Sequence, residues 1–274
     1  MTGAEKCRRA LLHQRQKERD DLLATIMETL RADERVVAAW LAGSLGRGDA
    51  DALSDLDLWV IVENDAIASI AADPRDFVAS IAEPCLVIEE PRNASRGGAY
   101  LFTHFPGDTG AHQVDWYWQA ASHATRPITT QLLFEQWPIP TRQPPGKLAP
   151  AELRARLEEQ VVLFWATVML AVKAVARGKH RSVHRSIESL DQLQRTLRWL
   201  LDHSAPPDFD DLRHSPLPDV LPISAEEQLQ FLDAAIATVL ATEPELRQHG
   251  VVPPVESKRQ VHRWLDFVRS LVAS

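Results

Sequence analysis

Cysteine is scarce in this chain: Cys7 and Cys85 are the only two, without the close spacing of zinc ligands and too few for a disulfide framework. A reducing compartment suits such a sequence. Basic excess is also lacking, with 30 Lys and Arg against 38 Asp and Glu for a net charge of -8, which argues against a broad surface that tracks nucleic-acid phosphates. No segment reads as an uninterrupted apolar run long enough to span a bilayer. The N-terminus, with Glu5, Lys6, Arg8 and Arg9, has no signal-peptide core. The expectation is a cytoplasmic protein with no membrane partner.

What is present is a 45% apolar composition over 274 residues, enough for one large core or two ordinary ones. Val36 to Leu41 is a short apolar run ending in Gly43-Ser44, and Leu56 to Val62 is rich in branched and aromatic residues. Both read as strands. Side chains alternate along a strand, so Asp55 and Asp57 project to one side while Leu56 and Leu58 project to the other. Paired carboxylates of this kind suit a hard divalent cation such as Mg²⁺, whose shell is completed by substrate phosphates. Gly43 permits close approach to a phosphate, Ser44 offers a hydroxyl and an amide, and a helix starting near Leu45 would turn its positive end there.

Gly-Ser-Leu-Gly-Arg-Gly at 43–48 and Ser-Asp-Leu-Asp-Leu at 54–58 resemble the signature of the nucleotidyltransferase (DNA polymerase β-like) superfamily, in particular its aminoglycoside and lincosamide nucleotidyltransferases. The resemblance covers roughly the first 120 residues. It implies a third metal-binding carboxylate on a later strand. Asp115, inside His112-Gln-Val-Asp-Trp-Tyr-Trp118, is the best match, with Glu89 or Glu90 as alternatives. It further implies two Mg²⁺ ions held by Asp55, Asp57 and Asp115, ATP or another nucleoside triphosphate as co-substrate, and AMP transfer to a hydroxyl of a small molecule. Antibiotic resistance is the biological role it suggests, and no nucleic-acid partner is expected.

The N-terminal half reads as mixed α/β and the C-terminal half as a helical bundle, an α+β chain. Residues 5 to 32 pattern as an amphipathic helix. Helical pieces follow at 65–72 and 76–81, and strands at 85–88, 99–105 and 112–118. Prolines at 127, 138, 140, 144, 145 and 150 suggest a connection, which divides the chain into 1–125, 126–149 and 150–274. Ser224-Ala-Glu-Glu resembles a capping box.

Between Val161 and Ala176 almost every position is apolar, predicting a helix buried on all faces. Lys173 within it is read either as a phosphate contact, together with Ser44 and Arg47, or as a structural ion pair with Glu188 or Asp191. Arg47 has its own alternative as solvated surface beside Asp49 and Asp51. The resemblance also implies a rival, a regulatory or toxin–antitoxin module that nucleotidylates a partner protein, often one with a helical RNase domain; Arg177 and His184 have the Arg-x6-His spacing of such RNase domains. Oligomeric state, the acceptor and the preferred triphosphate are not legible.

Overall fold

Thr2 opens the first helix by a capping box: its hydroxyl accepts from the Glu5 amide while Glu5 accepts from the Thr2 amide. That helix, α1 (Gly3–Ala32), begins a computed structural model describing residues 2–95, 97–208, 210–212, 215–218 and 220–272. The chain forms two compact units, Met1–Gln143 and Pro144–Ser274.

In the first unit β1 (Val36–Leu41), α2 (Gly43–Arg47) and β2 (Leu56–Val62) follow α1. Then come α3 (Ile67–Ala72), α4 (Pro74–Ala79), β3 (Leu86–Glu89), β4 (Ala99–Phe105), β5 (His112–Ala120) and β6 (Gln131–Glu135). The strands form one six-stranded sheet in the order β3-β4-β5-β2-β1-β6. Among the described strand pairs of this sheet only β2–β5 is parallel. Strand β6 lies inside the proline-rich stretch, paired to β1 through Ala38–Glu135 and Ala39–Phe134; edge position is where nearby prolines are tolerated.

One sheet face is dry. Leu56, Leu58, Val60, Trp116 and Trp118 pack there with Ile26 and Leu30 of α1, Ile70 of α3, and Phe77 and Val78 of α4. Trp116 stacks on Trp118 at 5.6 Å and donates from its indole to the Thr103 hydroxyl at 2.9 Å, so a large polar ring is satisfied inside the core. The opposite face carries the odd-numbered alternates: Asp57 and Trp59 on β2, and Asp115 and Tyr117 on β5. A small cluster of Val37, Trp40, Ile61, Ala124 and Ile139 covers part of it.

The second unit is helical: α5 (Pro150–Ala176), α6 (His180–His203), α7 (Ala225–Ala241), α8 (Glu243–Gln248) and α9 (Val255–Val272). Ser224 and Glu227 make the predicted capping box at α7. Leu157, Val161, Phe164, Val168 and Val172 of α5 are buried with residues of α6, α7 and α9, each such side chain contributing about 1.5–3 kcal/mol.

Two expectations for α5 need correction. Its burial is one-sided rather than all-round: Val162 and Leu170 are 58% and 63% exposed, and Lys173 lies exposed on the same stripe at helical spacing. It is also long and apolar enough to cross a bilayer by length and composition, because isolated polar residues such as Thr167 and Lys173 interrupt the run without lowering its mean hydropathy much. Its packed face is that of a core helix.

Candidate active site

Parallel pairing of β2 with β5 sets Asp57 directly beside Asp115. Asp55 stands just before β2, and a single amide ties it in: Gln113 donates from Nε2 to Asp55 Oδ2 at 3.0 Å and to Asp115 Oδ2 at 2.7 Å. The other oxygen of Asp115 accepts from the Tyr100 hydroxyl in a short buried contact. Sheet register thus gathers three carboxylates on one face. Tyr117 shares that face, stacked on Trp59 at 4.8 Å; its phenol is pushed up to about 12 by burial and by the charges of Asp115, Asp57 and Asp55.

The Asp57 carboxyl is pushed up to about 6, first by its own burial and then by Asp55 and Asp115, against an opposing pull from Arg47. Arg47 ends α2 and sits 3.6 Å from Asp49. Gly43 opens α2 with φ +59°, and the Ala42 amide before it donates to the Asp57 carbonyl at 2.8 Å. Ser44 follows on the first turn of α2, where amides have no carbonyl within the helix to donate to.

Can these residues hold a divalent cation? The donor set is entirely carboxylate oxygen, and its mutual repulsion is the condition a hard cation relieves. The Asp57 carboxyl, raised by its burial and then by Asp55 and Asp115, is one whose charge a cation would stabilise. The set therefore fits. The fit is one of donor chemistry: among the described residues no group of three or more His, Cys, Asp or Glu side chains is placed so that it could hold a metal ion, and Asp115 has both oxygens engaged by Tyr100 and Gln113.

The other candidates lie elsewhere. Glu89 pairs with Arg75 and Glu90 with Arg92, both at the far sheet edge. Lys173 belongs to the helical unit. Asp191 is buried and pairs with Arg195 at 2.8 Å, also accepting from the Ser215 hydroxyl. His184 lies 2.9 Å from the Pro222 carbonyl, to which a ring N–H donates, a structural bond that gives the Arg177 and His184 spacing no support as a nuclease pair.

Sequence reasoning overlooked three residues that position the site. Gln113 and Tyr100 act on Asp115 as described. Arg19 is 4% exposed and donates from Nη1 to the carbonyls of Asp51 at 2.7 Å and Ser54 at 3.4 Å, fixing the loop that delivers Asp55. Its signal was present: Arg19 shares the stripe of Leu23, Ile26 and Leu30 on α1, an arginine where an apolar residue is expected.

Residues 23–93 match the family model described as "Nucleotidyltransferase domain". No curated protein matches the chain. Among solved structures, an aminoglycoside 6-adenyltransferase from Bacillus subtilis aligns with a TM-score of 0.33 and 10% identity, covering 93% of this chain and 98% of that one. The matched segment holds β1, α2 and β2, and with them Asp55 and Asp57.

Proposed function

We propose that this nucleotidyltransferase transfers a nucleoside monophosphate, AMP from ATP, to a hydroxyl of a small-molecule acceptor such as an aminoglycoside or a lincosamide. The observation that carries the reading is the register pairing Asp57 with Asp115, with Asp55 tied to the same cluster by Gln113. The acceptor hydroxyl gives up its proton to solvent as its oxygen forms a new bond to the α-phosphorus. The bond to the β-phosphate oxygen breaks, and pyrophosphate leaves with that electron pair.

Asp55, Asp57 and Asp115 are the residues that would hold Mg²⁺, two ions in this reading. Bound there, the metal would supply charge neutralisation on the phosphates and acidify the attacking hydroxyl. Gly43 lets the Asp57 carboxylate lie against the turn, and Ser44 offers the triphosphate a hydroxyl and an amide. Arg47 adds positive charge on the same turn. An acidic cluster in a chain of net charge -8 favours a cationic acceptor over an anionic one.

The experiment is a pyrophosphate-release screen of each nucleoside triphosphate against a panel of aminoglycosides, lincosamides and candidate proteins. ATP-dependent release with a small hydroxylated amine supports the reading. Release only with a protein acceptor replaces it by protein nucleotidylation.

A further inference from the structure

Gln113 lies two residues before Asp115 on β5, so alternation places both on the same face. A carboxylate can only accept, so the nitrogen of the Gln113 amide and not its oxygen faces Asp55 and Asp115. One neutral group thereby donates two charge-assisted hydrogen bonds to two of the three acids. Tyr100, 8% exposed, holds the remaining oxygen of Asp115 from the neighbouring strand β4.

We propose that Gln113 is an internal latch whose amide competes with a divalent cation for the carboxylates of Asp55 and Asp115, while Tyr100 is the anchor that keeps Asp115 in position. The inference rests on the metal-dependent reading above. At rest the amide protons screen part of the repulsion between Asp55 and Asp115, and a cation must displace them to gain those oxygens. A hydrated cation alone gains little by that exchange. A cation arriving with a triphosphate brings further ligands, so the latch favours loading of the metal–nucleotide complex over loading of stray metal.

The two positioning residues then have opposite signatures. Gln113→Leu removes the competitor, whereas Tyr100→Phe removes the anchor and keeps the ring. The test is calorimetric titration of the full chain with Mn²⁺ in the absence of nucleotide, alongside the melting temperature of each metal-stripped variant. We expect Gln113→Leu to bind Mn²⁺ about tenfold more tightly, the scale of releasing charge-assisted hydrogen bonds, and Tyr100→Phe to bind it several-fold more weakly.

Gln113→Thr, with a β-branched side chain suited to a strand, repeats the gain should the leucine variant unfold. Unchanged or weaker Mn²⁺ binding in the folded Gln113 variants overturns the latch alone, provided wild type binds and Asp57→Asn does not. Mn²⁺ binding seen in Gln113→Leu but not in wild type is the extreme form of the expected result. Absence of binding in every variant overturns the latch and the metal-dependent reading together.

Discussion

The Asp57 carboxylate lies against the Cα of Gly43: a β-carbon built there would stand 1.8 Å from Asp57 Oδ2 and 2.8 Å from its Cγ. Gly43 also holds φ at +59°. Side-chain volume and backbone conformation therefore both require glycine at the turn that meets the acids.

Gly43→Ala is expected to destabilise the protein by about 1–3 kcal/mol from backbone strain and to push Asp57 out of line with Asp115. Denaturant unfolding and divalent-cation titration check it. Unchanged cation affinity in the folded variant would show that the close approach has no bearing on the site.

Asp57 gives the metal-stripped protein a particular pH response. Its folded carboxyl titrates at about 6, above the ordinary value of 3.8, so folding favours the protonated form. Its relative stabilisation is complete below about pH 4 and lost as pH rises through 6. Asp57→Asn, neutral throughout, should melt above wild type at pH 7.5 in EDTA, with the gap closing near pH 4. A gap independent of pH would mean that charge repulsion at Asp57 is not its source.

Arg19→Met keeps most of the aliphatic stem but takes the guanidinium away from the carbonyls of Ser54 and Asp51, the latter keeping the Ser54 amide. Loss of a charged hydrogen-bond donor in a buried setting costs about 1.5–3 kcal/mol. Hydrogen exchange should rise over residues 49–55 while α7 is unaffected. Uniform exchange across the first unit would instead make Arg19 a general support of the core.

Much of the first unit was legible in sequence because its signals are local. The bounds of β1, β2 and β4 follow from apolar runs between turn residues, and the burial of Trp116 and Trp118 opposite Asp115 and Tyr117 follows from simple alternation. Strand β6 was obscured by its flanking prolines. The partnerships of Gln113 and Tyr100 depend on which strands become neighbours, and nothing local to His112–Trp118 states that β2 lies on one side and β4 on the other. The apolar composition of α5 likewise records what the helix is made of and not that one face stays exposed.

That exposure changes the expectation for Lys173. An exposed ammonium needs no partner to offset desolvation, so Lys173→Met should alter apo stability by less than about 0.5 kcal/mol. The phosphate contact expected from sequence predicts a higher ATP dissociation constant in the same variant. An unchanged constant by calorimetry would remove Lys173 from the site.

Transfer of label from α-³²P ATP to a small-molecule acceptor, compared between wild type, Asp57→Asn and Asp115→Asn with Mg²⁺ present, tests the central claim most directly. The account predicts labelled acceptor with wild type and a loss of more than about a hundredfold in both folded variants, at least as large as the loss on removing a supporting residue of a metal site. Transfer within a few-fold of wild type in either variant would contradict it.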